Sequence, residues 1–63
     1  AYTNLAAAYL LQGKYQDAEK LYRQYKNEFK EMLLTDLDEL AKAGVIPSDR
    51  MADVEKIKKM LNE

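Results

Sequence analysis

Asp36, Asp38 and Glu39 crowd into "LLTDLDEL", and Asp49 and Asp53 stand one helical turn apart in "PSDRMAD". Paired carboxylates can work as general acid and base when a partly dry cleft shifts their pKa values. Here they fall at expected helix starts or on charged helix sides, where solvated and cap-stabilising roles account for them. A calcium loop needs oxygen ligands alternating through a glycine-centred segment. "TDLDELAKAG" is a helical pattern without that order. With no histidine and no cysteine in the chain, neither a Ser–His or Cys–His nucleophile nor a zinc site can be assembled. Two glycines in separate turns cannot cradle a phosphate. The expectation is a non-enzyme without metal or cofactor.

The five tyrosines could stack nucleobases, but stacking modules couple aromatics to a basic groove. Ten Lys and Arg against eleven Asp and Glu give a net charge of -1, dispersed along the chain, so no nucleic-acid partner is expected. No apolar run approaches the roughly 20 residues that span a bilayer. "NLAAAYLL" is too short, and no basic segment precedes it as in a signal peptide. No membrane partner is expected either. The lack of cysteine does not discriminate between compartments, and the cytoplasm is the default expectation.

The elements that must position these residues read as helices. Strand-like alternation is missing, while Ala, Leu, Glu, Lys, Gln and Met dominate, the residues that lose least on entering a helix. A first helix is predicted over about Thr3–Gln12, with Tyr2, Leu5, Tyr9 and Leu10 at three- and four-residue steps and Ala6, Ala7 and Ala8 keeping the rest thin. Gly13 follows, where a helix end often needs a positive φ. A second helix begins near Tyr15, with Ala18, Leu21, Tyr22, Tyr25, Phe29, Met32 and Leu33 in one apolar stripe and Glu19–Arg23 as an i,i+4 pair. Its end is open between two readings. Thr35 could cap a new helix starting at Asp36, giving a break or bend near Thr35, the reading we favour; alternatively Leu37, Leu40 and Ala41 extend one helix to Ala43. Gly44 stops it, and Pro47 disfavours helical backbone at Ile46. Ser48 then fits as N-cap of a last helix over about Asp49–Asn62, burying Met51, Val54, Ile57, Met60 and Leu61, with Glu55 and Lys59 paired outside.

Internal similarity links the two halves. "DAEKLYRQY" (17–25) aligns with "DVEKIKKML" (53–61), and "YTNLAAA" (2–8) with "LDELAKA" (37–43), each about 35 residues on. A helix pair repeating at that period resembles the tetratricopeptide family. The family pattern of an aromatic, a Leu followed by a small residue, and a Tyr is matched by Tyr2, Leu5 with Ala6, and Tyr9. Its small-then-aromatic pair on the second helix is matched by Ala18 and Tyr22, and "QGKYQDAE" looks like the connecting turn. The wording of "GKYQDAEKLYR" is similar to repeats of the kinesin-light-chain type. Small residues at Ala6 and Ala18 would let the two helices lie close, with Tyr9, Tyr15 and Tyr22 filling the groove around them.

The resemblance implies an all-α fold of three to four antiparallel helices over residues 1–63: a good repeat over 1–34 and a degenerate or capping one over 35–63. Departures occur in both copies and go further in the second. Tyr25 replaces a small residue and Lys30 a closing proline, Gly44 stands opposite Tyr9, Lys58 opposite Tyr22, and "VIPSD" is a longer turn. Polar Lys58, Lys59 and the final "NE" suit an outer capping face.

By resemblance, the first helix of each pair lines a surface that binds an extended peptide or a partner helix. Asn4 takes the place of the family's ligand-binding asparagine, with Thr3, Ala7 and Leu11 near the same surface. Equally, Asn4 could serve only to start the helix or to bond a neighbour. A clamp for a C-terminal carboxylate would need basic residues on successive first helices, and only Lys42 offers one. The expected function is protein–protein interaction as an adaptor or scaffold. The competing class is structural: the stripe from Ala18 to Leu40 as an oligomerisation surface, or a segment capping a solenoid. Fewer than three repeats calls for neighbours, so a solenoid fragment or a self-associating piece is expected as readily as a lone monomer.

Overall fold

A computed structural model describes residues 2–63, with side chains from Leu5 onward. The described chain is all-helical, with no strand, in the order α1 (Tyr2–Leu11), α2 (Tyr15–Ala43), a 3-10 turn (Ser48–Arg50) and α3 (Met51–Asn62). The expected all-α class therefore holds, with three helices.

Both glycine stops work as the sequence predicts. Gly13 takes φ +86 and Gly44 φ +72, the left-handed region that a β-carbon makes unfavourable. After α1, the Gly13 N–H donates to the Leu10 carbonyl (3.2 Å) and the Lys14 N–H to that of Tyr9 (2.9 Å). After α2, the Gly44 N–H donates to Ala41 (3.1 Å) and the Val45 N–H to Leu40 (3.4 Å). Each pair satisfies carbonyls that the helix end would otherwise leave orphaned.

α2 does not break near Thr35. Its helix runs through that position, and the one non-helical residue inside it is Phe29, at φ -126, ψ 23. Straight, its 29 residues would span about 43 Å, whereas the longest dimension of the molecule is 28 Å. The helix is therefore sharply bent into two arms. The physical reason lies in the core, where Ala18 and Tyr22 of the first arm join Leu33 and Leu37 of the second in one buried cluster. Ala18 and Leu37 would stand about 28 Å apart on a straight helix.

That cluster also takes Ala6 and Leu10 from α1 and Val54, Ile57, Met60 and Leu61 from α3. Tyr9, Tyr15, Leu21, Tyr25, Leu34 and Ile46 pack around it, half-buried. Full burial of each large apolar side chain contributes about 1.5–3 kcal/mol, which makes this cluster the main source of stability. Phe29 and Met32, expected on the stripe, are exposed. Phe29 lies at the bend itself, and the buried face resumes at Leu33, about three turns beyond Tyr22.

Three further expectations are corrected. Ser48 makes no side-chain cap; it opens the 3-10 turn, closed by the Arg50 N–H donating to the Pro47 carbonyl at 2.9 Å, and α3 starts later, at Met51. Met51 is exposed rather than core, since Arg50, not Met51, fills the space beside the α1–α2 turn. Lys59 does not pair with Glu55. Lys58 does so at 3.8 Å, and it also reaches across to Asp38 on α2 at 2.8 Å, so Lys58 faces a neighbouring helix instead of a free outer surface.

Candidate interaction groove

α1 and the second arm of α2 enclose an open groove of about 560 Å³. From α1 come Ala7, Ala8 and Leu11; from α2 come Asp36, Glu39, Leu40 and Ala43. Three alanines explain the space: a methyl side chain leaves a helix face thin, so two helices held by their larger neighbours keep a gap between them. Leu10, adjacent to this face, is buried and holds α1 to the core, as Leu37 does for α2. Leu11 and Leu40 remain half-buried at the groove.

Two carboxylates, Asp36 and Glu39, are the only charges among the described lining residues. They stand three residues apart on α2, hence on one side of the helix. Among the described residues neither enters an ion pair, whereas Asp38 between them turns the other way to Lys58. A hydrogen bond from Lys58, reinforced by its charge, holds the Asp38 carboxyl below the usual carboxylate range. Burial, with the Asp36 charge adding, pushes the Tyr22 phenol up to about 12.

Of the residues the sequence assigns to partner binding, Ala7 and Leu11 line this groove. The side chains of Thr3 and Asn4 lie outside the described residues, as does that of Tyr2 among the packing residues. Ala6, Ala18 and Tyr22 are buried, Tyr9 and Tyr15 half-buried against the core, and Gly13 makes the turn. Leu5 departs from its packing assignment. At 46% exposure it lies off the face defined by Ala6 and Leu10, with no described element covering it.

Of the described tyrosines, Tyr22 is in the core, and Tyr9, Tyr15 and Tyr25 pack against it. Tyr15 donates to Glu19 (3.5 Å) and carries the Lys56 ammonium 5.4 Å above its ring, while Lys14 stands 5.6 Å over Tyr9. Burial, then the charges of Glu19 and Asp53, raise the Tyr15 phenol pKa. The carboxylates considered for catalysis are dispersed. Asp49 lies 3.9 Å from Arg50 at the 3-10 turn, on the far side of the loop from Asp36 and Glu39 in sequence, and no described group of three Asp or Glu could hold a metal ion. No described helix is long and apolar enough to cross a membrane.

Sequence reading missed Ala8, Asp36, Glu39, Leu40 and Ala43 as lining residues. The signal was present: the aligned segments "YTNLAAA" and "LDELAKA" are the two that face each other across the groove. No protein-family model matches the chain, and no match emerges among curated proteins or solved structures.

Proposed function

We propose that this chain is a protein–protein interaction module of tetratricopeptide-like construction, binding a peptide or partner helix in the groove between α1 and the second arm of α2. In this reading α1 and the first arm of α2 form one helix pair, and the second arm and α3 the other. One observation carries it: two segments that resemble each other at a repeat spacing lie side by side as the walls of one groove. The bend at Phe29, beside Lys30, falls where the first pair would end. A groove formed before binding limits the ordering entropy lost on association.

Selection from a random peptide library against the immobilised chain tests this. Peptides that bind the native chain and lose binding to Ala7→Trp or Ala43→Trp, with helical circular dichroism unchanged, support the reading. Failure to select any peptide, or binding indifferent to a filled groove, defeats it.

A structural reading is favoured by a different observation, the exposure of Leu5, Phe29, Met32, Val45 and Met51 at 38–53%. Large apolar side chains left in water mark association surfaces when contiguous. Under this reading the chain assembles without a separate ligand, and its melting temperature rises with concentration. Sedimentation over a wide concentration range separates the two readings.

A further inference from the structure

Resting on the reading of the groove as a binding site, we infer that its occupant is a cationic amphipathic helix: an apolar stripe flanked by Lys or Arg. The charge argument comes first. Among the described lining residues Asp36 and Glu39 are the charged ones, both acidic and neither ion-paired. The basic side chains of the chain with described partners are engaged elsewhere, Lys58 with Asp38 and Glu55, Arg23 with Glu19, Arg50 with Asp49. Lys42, on the same arm, stands one turn from both Asp38 and Glu39; it forms no ion pair among the described residues, and its charge adds to that of Lys58 in lowering the Asp38 carboxyl. An acidic peptide would meet like charge on this wall, which costs specificity and encounter rate, while a basic one is drawn to it.

The backbone argument selects a helix over an extended strand. A bound extended peptide carries carbonyls that need donors, because desolvated backbone groups left unpaired are unfavourable. The described lining supplies alanine and leucine side chains and two carboxylates, hence acceptors and no side-chain donor. A helix satisfies its own backbone and needs only apolar contact plus flanking cations, the anchoring pattern of helix-in-groove recognition. The volume of about 560 Å³ lies within the range of formed ligand sites.

The test uses two end-blocked peptides sharing one Leu/Ala stripe, the first with Lys at every flanking position and the second with Glu, both verified as helical. Each is titrated into the isotopically labelled full chain while amide shifts of Ala7, Ala8, Leu40 and Ala43 are followed. The Lys peptide is expected to move these amides and to bind about tenfold or more tightly than the Glu peptide. Its affinity should fall about three- to tenfold in the Asp36→Asn/Glu39→Gln double variant, as expected for two rim ion pairs. Equal binding of both peptides, or an unchanged affinity in the double variant, overturns the charge assignment while leaving the interaction module standing. A Lys peptide that moves amides elsewhere but not in the groove also overturns it. If the library selection in addition yields nothing, the module reading falls with it.

Discussion

The guanidinium of Arg50 fills the space beside Gly13 that any side chain there would need. A β-carbon built on Gly13 would stand 2.5 Å from Nη2 and 2.8 Å from Cζ of Arg50, closer than real contacts allow. The 3-10 turn is thereby fitted to the α1–α2 turn, residues far apart in sequence. Arg50 Nε is buried there without a hydrogen-bond partner, so the fit rests on packing and on the long 3.9 Å pair with Asp49. Gly44 has the same backbone role at φ +72, yet nothing lies within 4 Å of its built β-carbon.

These two glycines make a controlled comparison. Both Gly13→Ala and Gly44→Ala force a side chain into the left-handed region, at about 1–2 kcal/mol. Gly13→Ala should exceed Gly44→Ala by less than about 1 kcal/mol, because the clash is with the flexible guanidinium end of Arg50, which must swing aside. Combining Gly13→Ala with Arg50→Ala should remove that excess in a denaturant double-mutant cycle. Equal losses at the two glycines would show that Arg50 yields freely.

Alkaline unfolding should report on Tyr22. An unfolded tyrosine titrates at 10.0 and the folded one at about 12. Because the folded value is raised, the contribution of the neutral phenol is complete below pH 10 and is lost as pH climbs through about 12. It amounts to about 2–3 kcal/mol. Lysines titrate in the same range, so the control is Tyr22→Phe, which should flatten the stability profile by that component. A variant profile parallel to the native one would contradict the buried phenol.

The bend at Phe29 can be measured directly. Spin labels at Gln16 and Lys42, in opposite arms of α2, would be separated by about 39 Å along a straight helix. The fold brings both arms into a molecule whose longest extent is 28 Å, so the distribution should be centred well short of the straight-helix value. A distribution centred near the straight-helix value would rule the two-armed core out.

Acid should dissolve the link between α2 and α3. Asp38 is held below its usual range by Lys58, so its contribution is present above that range and disappears as pH falls through the lowered value. Asp38→Asn should therefore lower the melting temperature at neutral pH, and the difference from the native chain should shrink as the pH falls below the ordinary carboxylate range. A difference constant with pH would assign the effect to something other than this pair.

Core truncations should divide sharply. Leu37→Ala, at a fully buried position, should destabilise by about 2–5 kcal/mol. Met51→Ala, on an exposed one, should change stability by less than about 0.5 kcal/mol. Thermal or denaturant unfolding distinguishes these readily, and comparable losses would mean that Met51 is packed after all.

What the sequence determined by itself was whatever depends on neighbours along the chain. Helix-forming composition and the absence of alternation set the all-helical class. Gly13 and Gly44 ended α1 and α2 because a positive φ is a local backbone requirement. Ala18, Tyr22, Val54 and Ile57 were legible as core from their spacing, since a helix places residues three and four apart on one face. Glu19–Arg23, closed at 3.3 Å, was legible for the same reason. Of the groove, only Ala7 and Leu11 were named in advance.

Tertiary structure decided what depends on segments that meet from a distance. The bend fell at Phe29 because both arms of α2 had to reach one core, a demand that Thr35 and its capping chemistry do not express. Lys58 rather than Lys59 took the ion pair because Asp38 arrived beside α3 from another helix. Leu5 and Met51 fit their helical stripes and still stayed exposed, because periodicity gives the face of a helix and not how far its neighbour extends along it. The acidic wall of the groove arose in the same way: Asp36 and Glu39 read only as charges on a helix side until α1, with its row of alanines, was laid beside them.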